Sequence, residues 1–416
     1  MFVIAIGAFQ WFSMAAVLDT QSTYNLRGMW ITIPDFADRI ANSTNYFERI
    51  YLRLNGWDGH WYHHIARNDY QCTGIPSNSN PHICNVAFFP LVPFLGSAAS
   101  QVGIDLVYAL PLISQVAWLL TLLLILLFVR SIREFNALRI SLLLLLVAYP
   151  GTLYASMAYS ESVLTLLVVS VVVLSHRYLQ YGGTVSIVAL AACCYLLGLV
   201  KVTGITASAI PVLMALAFHG ARGQLLTRQH GLMWLAAGLS LLGVLTFFLF
   251  AEIRFGRWDL YFQYTSQGWS GKAQGIPDLN PLSMFTNFHW HEHPSVRLSN
   301  AISIVLPLLI VALGVLAWRF SDDRQHLYVG ILGAAAVMYY AYSVPGNYAA
   351  LPNRNLMRHV FPVVALAVMA AMLLPVHRLT RIASALAGAL TMTAVVLGLY
   401  FQTQMFQALK VGDWVS

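Results

Sequence analysis

The segment NGWDGHWYHHIARNDY, at residues 55–70, places an acid among aromatic rings, an arrangement suited to proton transfer. Asp58 is flanked by Trp57, Trp61 and Tyr62. A carboxylate packed against apolar rings has its pKa raised by desolvation and accepts protons more readily. We therefore predict Asp58 to be a general base that activates a hydroxyl. The alternative is a structural segment, in which the rings form an interfacial belt and Asp58 caps a helix.

Three basic residues elsewhere in the chain are candidates for holding an anion. Lys201 follows an apolar run. A lysine at the centre of a membrane helix costs about 2.5–3.5 kcal/mol, so a turn at the interface is its expected place. Arg354 and Arg358 are spaced one helical turn apart, and two guanidinium groups at that spacing suit the oxygens of one phosphate. We predict that all three bind a lipid phosphate; the alternative is that they are interfacial anchors.

Further polar and aromatic residues are candidates for contacts with a substrate. Tyr159 and Glu161 follow a proline-led break between two apolar runs. For Glu161 the structural alternative is a first-turn carboxylate favoured by the helix dipole. The aromatic and amide residues of a later segment, GRWDLYFQYTSQGWS, are suited to stacking on a sugar and hydrogen-bonding its hydroxyls. The predicted substrate-binding residues are Trp57, His60, Trp61, Tyr62, Tyr159, Glu161, Tyr264, Gln267 and Trp269.

Alternating histidines in the segment HWHEH raise the question of a metal. In an extended strand His289, His291 and His293 would point to one side. Zinc binds such sets, but the segment has no regular ligand motif and no evident fourth ligand. We predict no metal site and no cofactor.

The composition is that of a polytopic membrane protein. The 416 residues are 58% hydrophobic and 9% charged, whereas a soluble domain carries about 25% charged residues. The mean hydropathy is +0.67. The net charge of +7 does not indicate a nucleic-acid partner, because the basic residues are scattered singly in short loops. The expected partner surface is the lipid bilayer.

Apolar runs predict about eleven transmembrane helices in an all-α bundle. The runs lie near 2–18, 105–129, 140–157, 162–176, 184–200, 204–218, 231–253, 300–318, 326–343, 358–374 and 381–402. The first run has no basic region before it and no small-residue cleavage site, so we predict a retained helix. The whole of 1–416 is predicted to form a single transmembrane domain.

Arginine positions predict the orientation. They occupy alternate short loops, and these loops all face the cytoplasm if the N-terminus does. Two long segments, 19–104 and 254–299, then lie on the outer face. The first is the predicted catalytic loop. Its residues 35–67 are predicted to form one or two short helices along the membrane surface, with an apolar side made of Phe36, Ile40, Phe47, Ile50 and Leu54. No internal repeat, of the kind that organises many transporters, is found.

Two of the four cysteines share the first outer loop. Cys72 and Cys84 would close a small disulfide ring if that loop faces an oxidising compartment. We predict this bridge.

Three blocks occur in order along the chain: WDGHWYHHIARNDY, AFFPLVPFL and PGTLYASMAYSESVL. Together they resemble the second GPI mannosyltransferase family and its prokaryotic relatives (PIG-V-like), within the GT-C class of membrane glycosyltransferases. The family blocks read approximately W-D-x-x-x-[YF]-x-x-I-A-x-x-G-Y, F-F-P-x-x-P and Y-S-E. Asp69 stands where the first block usually has glycine. The matching residues are Trp57, Asp58, Tyr62, Ile65, Ala66, Tyr70, Phe88, Phe89, Pro90, Pro93, Tyr159, Ser160 and Glu161.

The resemblance implies a GT-C-type fold and an inverting transferase. Such enzymes take a sugar, typically mannose, from a dolichyl- or polyprenyl-phosphate carrier and attach it to a lipid-linked or glycan hydroxyl. An acid in the first outer loop acts as the base, and Asp58 is the matching residue. The resemblance implies no nucleotide and no required metal. It places the active site on the outer face of a bacterial or archaeal plasma membrane, or the lumenal face of a eukaryotic endoplasmic reticulum.

Two alternatives stay open at the level of the sequence. One is a lipid or solute transporter whose outer loops form a vestibule. The other is a GT-C enzyme that moves a different sugar or uses a protein acceptor, because residue types and spacing do not reveal the sugar pocket.

Overall fold

The fold is helical throughout the part of the chain that the computed structural model describes. That part comprises residues 42–74, 84–134, 136–220, 227–264, 294–320, 324–343, 356–375 and 381–410, with positions 8, 11, 12, 14–16, 18, 39 and 40 before them. The one β-type pairing in these ranges is an isolated antiparallel bridge between Cys72 and Cys84.

The helices follow one another with short connections. In chain order they are α1 (Tyr46–Leu54), α2 (Asp58–Asn68), α3 (Leu91–Gln101), α4 (Leu106–Ile132), α5 (Ala137–Ala148), α6 (Glu161–Tyr181), α7 (Thr184–Val200), α8 (Ala209–Gly220), α9 (Arg228–Phe255), α10 (Leu260–Tyr264), α11 (Pro294–Phe320), α12 (Gln325–Ser343), α13 (Leu356–His359), α14 (Phe361–Leu373) and α15 (Arg381–Lys410). Two 3-10 helices, Pro150–Ala155 and Val202–Ser208, precede α6 and α8.

The predicted apolar runs after the first all coincide with helices. Five segments of the described chain are long and apolar enough to cross a membrane: Leu106–Ile132, Glu161–Tyr181, Val202–Gly220, Arg228–Phe255 and Ala387–Gln407. Shorter apolar helices accompany them at Ala137–Ala148, Thr184–Val200, Ile304–Phe320 and Phe361–Leu373. The run near 2–18 falls largely outside the described residues.

The third predicted run is shorter as a helix than its apolar length indicates. α5 ends at Ala148, because Pro150 lacks an N–H group and its ring collides with a preceding helical turn. The carbonyl groups exposed by this break accept from the Gln402 side chain of α15, at 2.7 Å for Val147 and 2.9 Å for Tyr149. A side-chain donor is needed here, because these residues are buried and a buried carbonyl without a partner costs free energy.

Two glycines bring α7 and α9 together. A Cβ atom on Gly198 would overlap the carbonyl oxygen of Ser240, and one on Gly243 would overlap that of Tyr195. Small residues at a membrane helix contact allow the backbones to approach closely and gain van der Waals packing. This contact fixes the end of α7, and Lys201 follows it directly.

Two arginines, one in the α4–α5 loop and one in the first turn of α5, have a structural partner at one end of the bundle. Arg133 Nε donates to the Leu373 carbonyl at 2.9 Å, and Arg139 Nε donates to that of Met372 at 2.7 Å. The last carbonyls of α14 lack intrahelical donors, and these side chains supply them. From the sequence, arginines in and beside the short loops were expected to indicate the orientation alone.

The first loop carries the predicted short helices. Asn45 caps α1 by accepting from the backbone N–H groups of Phe47 and Glu48. Of the residues predicted for the apolar side, Ile40, Ile50 and Leu54 are fully buried and Phe47 is 54% exposed, while Phe36 lies outside the described residues.

Candidate active site

Asp58 begins α2 and follows a strained residue. Trp57 has φ 56° and ψ −117°, a conformation that L side chains rarely adopt, at a typical cost of about 1–3 kcal/mol. The surrounding packing holds this turn. A Cβ on Gly59 would lie 3.2 Å from that of Ala158, whose backbone N–H donates to the Leu54 carbonyl at 2.9 Å. The chain around Asp58 is therefore fixed against the segment before α6.

The segment before α6 brings Tyr159 and Glu161 close to Asp58. The Tyr159 hydroxyl accepts from the backbone N–H of Asp58 at 3.4 Å. The Tyr159 carbonyl in turn accepts from the Ser114 hydroxyl of α4 at 2.9 Å. Glu161 is the first residue of α6 and its side chain is 1% exposed. The structure thus places the first and third sequence blocks side by side.

Arg358 joins the two acids. Its Nη1 donates to Asp58 Oδ2 at 2.5 Å, and its Nε donates to Glu161 Oε1 at 2.6 Å. The guanidinium lies over the Tyr159 ring, 4.2 Å from the ring centroid, within the range of a cation–π interaction. Tyr154, with its ring centroid 5.8 Å from the guanidinium, is a further aromatic neighbour and was not among the residues predicted from the sequence.

Lys201 and His359 complete the group. Lys201 Nζ donates to Glu161 Oε1 at 3.1 Å and to His359 Nδ1 at 2.9 Å. The His359 ring lies parallel to that of Tyr342, with centroids 6.1 Å apart and planes 14° apart. We use the name site cluster for these five charged or titratable residues: Asp58, Glu161, Lys201, Arg358 and His359.

The charges within the site cluster balance. Two carboxylates face one guanidinium and one ammonium. Burial alone lowers the pKa of Arg358, but Asp58 and Glu161 outweigh it and raise that pKa well above its usual value, so the guanidinium stays charged. Burial lowers the pKa of Lys201, an effect that Glu161 partly offsets.

His359 is neutral because of its burial and its charged neighbours. Burial, together with the positive charges of Lys201 and Arg358, holds the pKa of His359 well below its ordinary value. A neutral imidazole accepts at one ring nitrogen and donates at the other.

The environment of Asp58 differs from the one that the sequence predicted. We expected an acid surrounded by apolar rings. The structure gives it a guanidinium partner contributed from 300 residues further along the chain. An ion pair orients the carboxylate, which a purely aromatic pocket would not do.

The aromatic residues of α2 are packed rather than open. Trp61 stacks on Phe88 with centroids 5.5 Å apart and meets Tyr264 edge-on at 6.3 Å. The exposed fractions of Trp61, Tyr62 and Tyr264 are 6%, 4% and 1%. Such side chains reach a substrate only after a neighbour moves, so their substrate-binding role stays a prediction.

His60 is buried in the same helix, and burial lowers its pKa to about 3. Trp57 is partly buried against the core. For both, a contact with substrate stays a prediction.

Several predicted residues fall outside the described part of the chain. They are Arg354, Gln267, Trp269, His289, His291 and His293. Within the described ranges, no group of three His, Cys, Asp or Glu residues is placed to hold a metal ion. Cys72 and Cys84 are joined as a disulfide, with Cα atoms 4.1 Å apart.

His359 was not among the site residues predicted from the sequence. Its neighbour Arg358 was selected from the segment NRNLMRH, but the histidine next to it was passed over. A histidine between an arginine and an apolar run, at the predicted interface, was the available signal.

Comparison with known proteins gives a fold but no family. No protein-family model and no curated protein matches the chain. Among solved structures, the Archaeoglobus fulgidus oligosaccharyltransferase in its apo form is similar over 97% of this chain and 56% of its own, at 14% identity and a TM-score of 0.51.

Two further structures of that protein are also similar to this chain. The form with zinc and sulfate gives 13% identity, a TM-score of 0.49 and coverage of 86% and 48%; the form tethered to an acceptor peptide gives 12%, 0.46, 99% and 55%. The chain spans about half the length of these proteins. At such identity the apo comparison shows the fold alone. The chain is a polytopic helical membrane protein, and it shares its fold with the Archaeoglobus fulgidus oligosaccharyltransferase.

Proposed function

We propose that this protein is a GT-C glycosyltransferase that moves a sugar from a polyprenyl-phosphate carrier to an acceptor hydroxyl, with Asp58 as the general base. The observation that carries the proposal is the contact between Asp58 and Arg358 beside Lys201. A base and two cations stand together at the ends of apolar helices, in a fold shared with an oligosaccharyltransferase. The likeness in fold favours this function over the alternatives, and the chemistry of the site supports it.

The reaction follows from the charges of the site. Asp58 Oδ takes the proton of the acceptor hydroxyl. The freed oxygen attacks the anomeric carbon from the face opposite the phosphate. The bond between that carbon and the phosphate oxygen breaks, and its electron pair leaves with the lipid phosphate. The anomeric centre is inverted. Arg358 orients Asp58, and the charges of Lys201 and Arg358 stabilise the departing phosphate.

The finer assignments rest on the sequence blocks. The PIG-V-like resemblance favours mannose as the sugar and a lipid-linked or glycan hydroxyl as the acceptor. It also favours the outer or lumenal face of the membrane. Arg354 is proposed as a further phosphate ligand, and Tyr159, Glu161 and the aromatic residues of α2 as the surroundings of the substrates.

The decisive experiment is a transfer assay with defined variants. Membranes containing the protein are supplied with labelled polyprenyl-phosphate-mannose, and new glycosylated products are separated. Asp58→Asn keeps the size of the side chain but cannot take a proton, so turnover should fall on the order of 10²–10⁴-fold. Asp105→Asn is the matched control: Asp105 caps α4, and asparagine caps equally well.

Two results would contradict the proposal. Wild-type turnover by folded Asp58→Asn would place the base elsewhere. No product from any polyprenyl-phosphate sugar, combined with label moving across the membrane, would favour the transporter alternative.

A further inference from the structure

The site cluster has a buried layer and an outer layer. The side chains of Glu161 and Arg358 are 1% and 9% exposed, whereas those of Asp58, Lys201 and His359 are 15%, 21% and 28% exposed. A ligand that approaches the cluster therefore meets the outer three first. The reaction described above uses Asp58 and Lys201 but gives His359 no task.

Lys201 determines which nitrogen of His359 carries the proton. The ammonium can only donate, so His359 Nδ1, 2.9 Å away, must accept. The proton of the neutral ring then resides on Nε2, which becomes an N–H donor. Stacking on Tyr342 holds the plane of the ring. The tautomer and the orientation of this donor are thus both fixed before any ligand arrives.

Lys201 has capacity left for a ligand as well. Its ammonium has three N–H groups, and the bonds formed within the described chain use two of them, to Glu161 and to His359. The outer layer therefore offers a ligand one further N–H of Lys201 as well as the Nε2–H of His359.

We propose that His359 is an anion-binding residue, whose Nε2–H donates with Lys201 to the phosphate of the lipid-linked substrate. This inference rests on the proposed function and assigns a residue to its donor site. Because the two carboxylates and the two cations of the cluster already balance, a neutral donor binds the phosphodiester without adding positive charge. It also gains strength as negative charge grows on the leaving phosphate.

The test measures binding, so that it does not depend on sugar transfer. Purified protein is titrated with short-chain polyprenyl phosphate, with the matching polyprenol, and with inorganic phosphate as a competitor. His359→Phe keeps the ring that stacks on Tyr342 but removes both nitrogens. His359→Gln supplies an acceptor for Lys201 and an N–H donor. His230→Phe is the matched control. His230 lies in the first turn of α9, and the whole of α8 separates it along the chain from Lys201.

We expect His359→Phe to weaken polyprenyl phosphate binding about 10- to 100-fold, the factor typical of one hydrogen bond to a charged group. Polyprenol binding should be unchanged, and His359→Gln should recover most of the loss. Inorganic phosphate should compete in the wild type and compete less well in His359→Phe. His230→Phe should bind as the wild type does.

Three outcomes would overturn the inference: equal affinities of wild type and His359→Phe, a His359→Gln variant as weak as His359→Phe, or equal losses for polyprenol and its phosphate. The last would mean that the contact is with the isoprenoid chain. A wild type that binds through His359 yet forms no product contradicts only the proposed function. If the wild type forms product but His359→Phe binds polyprenyl phosphate as tightly as the wild type does, only this inference is contradicted.

Discussion

At the scale of single residues, Arg358 has the most consequential position. It contacts both acids of the site and lies over an aromatic ring, with 9% of its side chain exposed. Removing one partner of a buried ion pair leaves an uncompensated charge, and this typically costs about 3–5 kcal/mol. A variant at this position therefore tests stability and function together, and the choice of substitute separates them.

We predict that Arg358→Lys folds but turns over at least about tenfold more slowly, because lysine keeps the charge and cannot donate to Asp58 and Glu161 in the same fixed geometry. Arg358→Ala should lose both folding stability and activity. Donor saturation and thermal unfolding of the purified variants measure the two effects. A folded Arg358→Lys with wild-type kinetics would show that the two-pronged geometry is not needed.

Asp69 occupies a backbone conformation that suits glycine. It has φ 67° and ψ −179° at the end of α2, a region that is essentially reserved for glycine and costs other residues about 1–3 kcal/mol. This gives a physical reason for the glycine that the PIG-V-like first block usually has here. The side chain offers some compensation, because its Oδ1 accepts from the backbone N–H of Tyr70 at 2.8 Å.

We predict that Asp69→Gly stabilises the protein by about 1 kcal/mol through relief of this strain. Asp69→Ala is the matched comparison: it loses the same hydrogen bond and keeps the strained backbone, so it should be less stable than the wild type. Unfolding midpoints in detergent rank the three proteins. A glycine variant no more stable than the alanine variant would refute the strain argument.

At the scale of elements, the glycine contact between α7 and α9 determines where Lys201 lies. Neither Gly198 nor Gly243 has room for a methyl group, since each faces the backbone of the other helix. Lys201 is the residue after α7, so any separation of these helices displaces its ammonium from Glu161 and His359. Packing within the bundle and the geometry of the site are coupled through this one helix end.

We predict that Gly198→Ala destabilises the protein by about 1–3 kcal/mol, the usual cost of overpacking, and lowers activity. Gly238→Ala on α9 is the matched control, because a Cβ there meets nothing within 4 Å. That change should be neutral or stabilising by up to about 1 kcal/mol, since alanine is the better helix former. Thermal unfolding of the two purified variants measures the difference. Equal unfolding midpoints would contradict the prediction.

At the scale of the whole molecule, the site is assembled from segments that are far apart in the chain. Asp58 belongs to the first loop, Glu161 and Lys201 flank α6 and α7, and Arg358 precedes α14. Glu161 begins α6 and Lys201 follows α7, so two successive antiparallel helices bring both residues to the same end of the bundle. The disulfide between Cys72 and Cys84 lies in the same loop as Asp58.

We predict that this disulfide forms in the native protein, which requires the loop, and with it Asp58, to face an oxidising compartment. Mass mapping of protein isolated without reductant should find one peptide linked through Cys72 and Cys84, while Cys193 and Cys194 remain thiols. Two free thiols at 72 and 84 would refute the bridge. They would also remove its support for placing the site on the outer side.

Local sequence was enough to determine the membrane class, the helical fold and most helix positions. Apolar length and backbone hydrogen bonding leave an apolar chain in a bilayer few options other than helices. The break at Pro150 was also readable, because it depends on the missing N–H of a single residue. The same local information selected Asp58, Glu161, Lys201 and Arg358 as candidates.

Only the tertiary structure decided how these candidates are paired. The contact between Asp58 and Arg358 spans 300 residues, and that between Glu161 and Arg358 spans 197. Such contacts depend on which helices pack together and at what distance, and here that depends on glycine contacts and on capping of distant carbonyl groups. Residue types alone predicted an acid among aromatic rings. The packing of the helices instead placed a guanidinium against that acid, and it placed His359, which no motif had marked, at the exposed edge of the site.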